Sequence, residues 1–538
     1  MNPPPGSPGW RGAVAEGLVA RAALARSPEV PGILSRTRVK KWRASPSEAR
    51  SQKSGTNTET GTLSGMNDTK RKTKIVCTLG PATDSAEGIS SLLEAGMDVV
   101  RLNFSHGDRE THRQTIRRIR DVARREGREV GILQDLGGPK IRLGELPEGG
   151  IELQAGSRVA LGVDGQAAEG VLPVSYKHLL EDVGAGECIL LADGLVELEV
   201  REVADDRLLC DVVIGGALTS RKGVNLPQAN LRVPAFTDKD RSDLEVGLEE
   251  GVDFVALSFV RHEDDMAPVR DRLSDLEHPP LLIAKIEKPQ AVQRLDRILE
   301  AVDGVMVARG DLGVEMPPEQ VPMIQKRIIA ASRRAGLPVI TATQMLRSMV
   351  DSPRPLRAEA SDVANAVLDG TDAVMLSEET AIGRYPTEAV RVLDRVALEA
   401  EPEIDHSRMI ADSVSPSVPE LTGAISRAAC ELAASIAAAA IITTTASGAT
   451  ARLVARLRPA APVLAVTPFE AVARQLTLSW GVIAAKVEET SDFGTLGAEM
   501  RETLAEHGLD TPGNRIVITA GLPLGVSGST NLLRVFEY

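Results

Sequence analysis

Eight short apolar runs, one long break after the third, and a separate α/β stretch at the end predict an α/β chain. The architecture they suggest is a TIM (β/α)8 barrel with an inserted all-β domain and a C-terminal α/β domain. The runs are Ile75–Leu79, Val99–Phe104, Val130–Leu136, Phe254–Val260, Leu281–Glu287, Val305–Arg309, Pro338–Thr343 and Ala373–Ser377. Most follow one another at roughly 25–35 residues, room for one right-handed crossover helix each. Glu87–Ala95 reads as the first of these helices. In the next, Arg109–Glu126, residues Ile116, Ile119, Val122 and Ala123 form one apolar stripe with arginines opposite. A doubly wound open sheet has the same rhythm, and the pattern by itself leaves it open.

The break between Leu136 and Phe254 exceeds 100 residues. Within it Leu195, Glu197, Glu199 and Arg201 alternate with Val196, Leu198 and Val200, and turn signals are dense: Gly149-Gly150, Asp164-Gly165, Asp193-Gly194, Gly215-Gly216. This predicts a small antiparallel, barrel-like β domain hung over the C-terminal mouth of the barrel. The expected limits are 66–145 and 232–404 for the barrel, 146–231 for the insertion and 405–538 for the last domain. In that last domain a helix over Gly423–Ala439 leads into Ala440–Thr445, and Pro462–Val466, Val482–Val487 and Arg515–Thr519 are further strands. No internal repeat is evident within 66–538.

Composition removes other classes. The net charge of −13 argues against nucleic acid or an anionic membrane as the main partner. The longest apolar run, Ile436–Ile442, is far shorter than the roughly 20 residues of a membrane helix. Four scattered cysteines exclude a disulfide scaffold and a Cys-type zinc site, and they suit a reducing, cytoplasmic setting. Residues 1–65 stand apart, with a charge of +6 against −19 for the remainder and no sustained period. They read as a disordered arm, an Arg-rich targeting segment, or non-native sequence upstream of a start at Met66; the expectation is a disordered or non-native extension.

A barrel's chemistry gathers where its strands end. Strand two ends in Arg101-Leu102-Asn103-Phe104-Ser105-His106, and strand three in Asp135 followed by Gly138-Pro139-Lys140-Ile141-Arg142. Strand five carries Lys285 and Glu287 on one face, strand six ends in Arg309-Gly310-Asp311, and strand seven ends in Thr343. Charges within apolar strands are costly unless paired, liganding or functional. One such residue reads as a structural ion pair, but a cluster from several strands does not. Glu287 and Asp311 are hard oxygen donors suited, with substrate oxygens, to Mg²⁺ or Mn²⁺. Arg101, Lys285 and Arg142 suit phosphate, and the backbone at Gly310 and Asp311 suits a carboxylate. Walker and Rossmann glycine motifs are absent, and no Cys or His dyad is poised for covalent catalysis.

The segments TKIVCTLGPATDS (73–85), VVRLNFSHG (99–107), GPKIRLG (138–144), KGVNLP (222–227), AKIEKPQA (284–291), VMVARGDLGVE (305–315), TATQMLRSM (341–349) and SDVANAVLDGTDAVMLSEETA (361–381) closely resemble the pyruvate kinase family. The resemblance runs from about Thr73 to the C-terminus. It implies transfer of a phosphoryl group from phosphoenolpyruvate to ADP, giving pyruvate and ATP. It implies that Arg101 binds the phosphoryl group, Lys285 stabilises the transferring charge, Glu287 and Asp311 ligate Mg²⁺, and Gly310, Asp311 and Thr343 hold the substrate carboxylate. Thr343 joins the relay that protonates the enolate, and Asn103, Phe104, Ser105, His106, Arg142 and Lys222 match nucleotide-binding positions. Many relatives hold K⁺ at groups matching Asn103, Ser105, Asp135 and residue 136. Here that position is Leu136 and an acidic residue is replaced by Lys140, which resembles the bacterial, K⁺-independent branch. The loop Thr443-Thr444-Thr445-Ala446-Ser447-Gly448, before an expected helix Thr450–Leu457, matches an effector phosphate site. The late loop 521–530 lacks Lys and Arg, which favours a sugar monophosphate or AMP over a bisphosphate. The family is usually homotetrameric. Two other classes stand beside this one: a Mg²⁺-dependent barrel lyase, which lacks the inserted domain, and an inactive binding scaffold, expected to have lost Lys285, Glu287, Asp311 or Thr343.

Overall fold

The computed structural model describes residues 71–538 apart from 168–169, 230, 414–416, 490–492 and 523–529; the N-terminal extension expected over 1–65 lies outside the described residues. Eight parallel strands close into a barrel: β1 (Lys74–Thr78), β2 (Val99–Asn103), β3 (Gly131–Asp135), β4 (Phe254–Leu257), β5 (Leu281–Ile286), β6 (Gly304–Ala308), β7 (Val339–Ala342) and β8 (Ala373–Leu376). The closing pair is β1 with β8, in register from Lys74↔Ala373 to Cys77↔Leu376. Closure excludes the open doubly wound sheet. These sequences read as apolar runs because both strand faces are covered. Val76, Val99, Leu133, Phe254, Ile283, Met306, Ile340 and Met375 fill the interior, while Ile75, Val100, Ile132, Val255, Val305 and Val374 pack under the helices.

A short unit does recur, contrary to the expectation of no repeat. A small residue, any residue, Asp, any residue and Val open every even-numbered strand: Gly96…Asp98…Val100, Gly251…Asp253…Val255, Ala301…Asp303…Val305 and Gly370…Asp372…Val374. Each aspartate accepts the first free N–H of the preceding odd-numbered strand, Ile75, Ile132, Leu282 or Val339, at 2.8–3.1 Å. Arginines neutralise all four: Arg71 on Asp98, Arg120 and Arg474 on Asp253, Arg270 on Asp303, and Arg458 on Asp372. The unit is spread over nearly 280 residues and only five positions long, so it hides among ordinary strand starts.

Between β3 and β4 lies a six-stranded sheet in the order Val224–Asn225, Cys188–Leu191, Val196–Val203, Leu208–Ile214, Arg158–Val163, Val171–Val174, with a separate ladder of Gly216–Leu218 on Ile151–Leu153. Its pairs are antiparallel except the last, which is parallel, a departure from the expected all-antiparallel pattern. The two sheet edges meet through single bridges to the entering chain, Arg142↔Gly223 and Leu143↔Val174. The C-terminal sheet contains β9 (Ala440–Thr444), β10 (Val463–Thr467), β11 (Val482–Lys486), β12 (Arg515–Gly521) and β13 (Thr530–Glu537), in the order β11-β10-β9-β12-β13. The antiparallel edge strand β13 was not anticipated, because its exposure does not alternate cleanly. The helix expected over Gly423–Ala439 is Glu420–Ser435; it starts directly after Pro419, and Ala437 adopts a left-handed φ of 50°.

The last domain closes the bottom of the barrel. Leu478 joins the barrel-interior cluster, and Trp480 N–H donates to Asp372 at 3.1 Å. The side chain of Arg458 is 0% exposed; it donates to Asp372 at 2.9 Å and to the Gly370 carbonyl at 2.6 Å. Removing one partner of a buried pair strands the other charge. Arg458→Ala should therefore lower unfolding free energy by about 3–5 kcal/mol in denaturant titrations. A loss below about 1 kcal/mol, the range of a surface pair, would contradict this role.

Candidate active site

The centre of the barrel mouth is a buried ammonium. Lys285 Nζ on β5 lies 2.9 Å from Glu287 Oε1, 3.2 Å from Asp135 Oδ1 and 2.7 Å from Ser258 Oγ. Asp135 at the end of β3 also accepts from Arg101 Nε at 2.7 Å, and Arg101 reaches Thr78 Oγ1 at 2.9 Å. Three strands, β2, β3 and β5, thus contribute to one chain of charges, Arg101–Asp135–Lys285–Glu287. Burial works against the Lys285 ammonium, but Asp135 and Glu287 outweigh it and raise its pKa above the ordinary lysine range. Burial likewise opposes ionisation of Asp135, and Lys285 with Arg101 overcomes it, so its pKa lies below the ordinary carboxylate range.

Two backbone segments pay in strain for their place here. Phe259 has φ of 57°, which aims its N–H at Glu287 Oε2 at 2.6 Å. Thr343 and Gln344 have φ of 67° and 55°, unusual for residues with a Cβ and costly for a β-branched one. Arg309 holds that turn by donating to the Thr343 carbonyl at 2.7 Å and pairing with Asp362 at 2.5 Å. Thr343 Oγ1 accepts from Gly310 N at 2.6 Å. Gly138, at φ 63°, packs where a Cβ would come within 2.9 Å of the Phe259 ring, so this approach requires glycine.

The anticipated residues divide into those at the mouth and one that is not presented. Arg101, Asp135, Lys285 and Glu287 meet directly, and Gly310 meets Thr343. Asp311 lines a shallow cleft with Pro139, Lys140, Asn225, Phe259 and Lys288. His106 lies within reach of the charges of Arg142, Lys140 and Arg101; burial first, and then these three cations, lower its pKa below the ordinary histidine range. Asn103 Oδ1 accepts from Ser105 N at 3.1 Å, and the Lys222 carbonyl accepts from Leu143 N at 2.8 Å. Phe104 is the exception. It is 2% exposed, its ring is stacked on His112 at 3.9 Å, and its carbonyl accepts from Lys239, so its side chain offers no surface to a nucleotide. Asp135 is occupied by Arg101 and Lys285, and the Leu136 carbonyl accepts from Ser258 Oγ at 2.7 Å.

Ser258 and Phe259 take part in the site without having been singled out from the sequence, and Arg309, noted only as a strand end, holds the Thr343 turn. The rule that found the others, reading the residue just past each strand, points to Ser258 and Phe259 when applied to β4. In the last domain the loop Thr443–Gly448 contains a feature the hydroxyl pattern did not announce. Arg452 folds back so that its Nη2 donates to the Ser447 carbonyl at 2.8 Å, while its Nη1 and the hydroxyls of Thr443 and Thr519 are buried without a hydrogen-bond partner among the described residues. The helix there is Ala449–Ala455, a residue earlier and a residue shorter than anticipated.

Glu287 and Asp311 fit a divalent cation. Burial pushes the Glu287 carboxyl up to about 7; the Lys285 charge opposes this, and the Asp311 charge adds to it. The two carboxylates are close enough to repel, and Asp311 has no ion pair among the described residues, so a cation between them would relieve both. No group of three or more His, Cys, Asp or Glu side chains is disposed to hold a metal among the described residues. The pH sign follows from Glu287. Between the ordinary value of 4.5 and about 7 the folded chain binds this proton more tightly than the unfolded chain, so stability without metal falls as pH rises through that window. Glu287→Gln removes this contribution. Its stability relative to the parent should rise from pH 5 to pH 8 in metal-free denaturant unfolding, and a difference constant across the window would contradict the assignment.

The comparisons with known proteins agree with this geometry. The family described as "Pyruvate kinase, barrel domain" matches residues 70–390, and "Pyruvate kinase, alpha/beta domain" matches 423–536. A pyruvate kinase of Geobacillus stearothermophilus is 47% identical over 472 residues, covering 87% of this chain and 80% of the relative. Pyruvate kinase 2 of a Synechocystis strain is 49% identical over 472 residues, covering 86% and 79%. The crystal structure of a pyruvate kinase from Cryptosporidium parvum superposes with a TM-score of 0.81 at 39% identity, covering 87% of this chain and 96% of that one. With the closed barrel, the inserted β domain and the C-terminal α/β domain in the same order, the chain belongs to the pyruvate kinase family.

Proposed function

We propose that the barrel mouth carries out the pyruvate kinase reaction through the following division of labour, which rests above all on the buried ammonium of Lys285 between Asp135 and Glu287. Arg101 receives the phosphoryl group of phosphoenolpyruvate, oriented by its bond to Asp135. The carboxylate is received where the Gly310 N–H, the adjoining Asp311 backbone and the Thr343 hydroxyl come together. The phosphoryl group leaves the enol oxygen for the terminal oxygen of ADP, and Lys285 balances charge on both the group in flight and the enolate. Thr343 belongs to the relay that delivers a proton to the enolate carbon, giving pyruvate and making transfer strongly downhill. Asn103, Ser105, His106, Arg142 and Lys222 supply the nucleotide side, with residue 104 contributing backbone at most. The family generally needs a divalent metal. Glu287 and Asp311 would hold Mg²⁺ or Mn²⁺, which when bound neutralises phosphoryl oxygens.

Lys285→Met tests this assignment. It should lower turnover by about 10²–10³-fold or more while the fold survives, since Asp135 keeps Arg101 and Glu287 can stay protonated. Near-parent turnover would contradict the role.

Two finer assignments belong to the same proposal. Lys140 supplies the positive charge that K⁺ brings in many relatives. Its side chain lines the cleft, its charge reaches His106, and Asp135 and the Leu136 carbonyl are already engaged. The enzyme should be fully active in K⁺-free buffer with a large organic counterion, and Lys140→Glu should then make it depend on K⁺. Many-fold K⁺ activation of the parent at constant ionic strength would refute this.

The second is an effector phosphate at Thr443, Thr444, Thr445, Ser447 and Gly448, supported by the positive charge of Arg452 beneath the loop. The loop residues 523–529 lie outside the described residues, but the sequence 521–530 carries no Lys or Arg, so a sugar monophosphate or AMP should activate. Strong activation by fructose 1,6-bisphosphate alone would overturn that choice. A homotetramer in the cytoplasm, independent of nucleic acid and membrane, completes the proposal; no helix among the described residues is long and apolar enough to cross a membrane.

A further inference from the structure

Glu315 ends the helix Arg309–Glu315, one turn beyond Asp311, and its side chain is 1% exposed. Its Oε1 accepts from Lys288 Nζ at 2.5 Å and from Asn225 Nδ2 at 2.7 Å. Its Oε2 is buried with no hydrogen-bond partner among the described residues. The two donors come from different places. Lys288 directly follows Glu287 at the end of β5, whereas Asn225 lies on the inserted strand Val224–Asn225, paired with Leu190 of the inserted sheet. The same insertion approaches the neighbouring helix residue as well, since a Cβ on Gly194 would lie 3.7 Å from Val314 Cγ1. Where the chain returns to the barrel, Arg261 donates to the carbonyls of Leu231 and Val233. One carboxylate therefore joins the strand end bearing Glu287, the helix bearing Asp311 and the domain bearing Lys222.

We infer that Glu315 is a positioning residue, a three-way latch that seats the inserted domain on the barrel mouth while fixing the elements that carry Glu287 and Asp311. The inference rests on the roles proposed above for those two residues and for Lys222. The arms differ in kind. Lys288 and Glu315 form a buried ion pair, which persists because separating it strands a charge. Asn225 adds a neutral amide, which can let go and take water in its place. The Lys288 arm therefore keeps the metal side rigid, and the Asn225 arm sets how often the inserted domain is seated. Lys222 precedes Asn225 by three residues, and Arg142 bridges to Gly223, so release of Asn225 carries the nucleotide groups away from the cleft. The barrel-borne phosphoenolpyruvate groups Arg101, Lys285 and Thr343 stay in place.

The test uses the full chain and two readouts. In protein free of metal and nucleotide, amide exchange at residues 222–226 should quicken in Asn225→Ala and Glu315→Ala. In steady-state kinetics, Asn225→Ala should raise KM for ADP about tenfold, as for loss of a hydrogen bond to a charged group, with KM for phosphoenolpyruvate near the parent's. Glu315→Gln, which keeps the Oε1 acceptor, should restore both readouts toward parent values. Adding Asn225→Ala to Glu315→Ala should change neither further. Parent exchange or parent KM for ADP in Asn225→Ala, with only the melting temperature lowered, would overturn the latch. The exchange readout does not depend on activity, so failure of the catalytic assignment would appear separately, as a parent protein without phosphoryl transfer.

Discussion

The buried ammonium of Lys285 organises the rest of the molecule's mouth. A lone cation at that depth would be driven to lose its proton; here two carboxylates and a serine hydroxyl hold it charged. Those partners cannot drift, because each comes from a different strand of a closed barrel. The strained turn at Phe259 exists to give Glu287 a backbone N–H. The left-handed residues at Thr343 and Gln344, pinned by Arg309, bring a hydroxyl to Gly310. Strain of this kind survives only where the surroundings over-determine it.

The opposite end of the barrel is fastened by charge pairs. Four aspartates cap the odd-numbered strands, and four sets of arginines neutralise them. Two of the sets involve the C-terminal domain, through Arg474 and Arg458, so this domain is part of the barrel's foundation. These two pairs tie the last domain to the starts of β3, which ends in Asp135, and β7, which leads into Thr343.

The eight barrel strands were legible because burial on both faces leaves no polar alternative in the sequence. The inserted domain was legible from its turn glycines and from alternation at Val196–Val203. Charged residues at strand ends stood out for the same reason: Lys285 and Glu287 interrupt an otherwise apolar run. What stayed hidden depended on partners far away in the chain. Ser258 is an ordinary serine until Lys285 sits 2.7 Å away. Glu315 and Asn225 are 90 residues apart and meet only once the insertion folds over the mouth. The packing of Phe104 was equally hidden, since a motif position does not tell which way its ring turns, and His112, eight residues on, decides that.

The central claim is that this charge cluster moves a phosphoryl group from an enol phosphate to a nucleoside diphosphate. The most direct measurement is pyruvate release from phosphoenolpyruvate by the purified full chain with Mg²⁺, with and without ADP. The account predicts pyruvate only when ADP is present, with one ATP formed for each pyruvate. Pyruvate released at the same rate without ADP, or none under either condition, would contradict it.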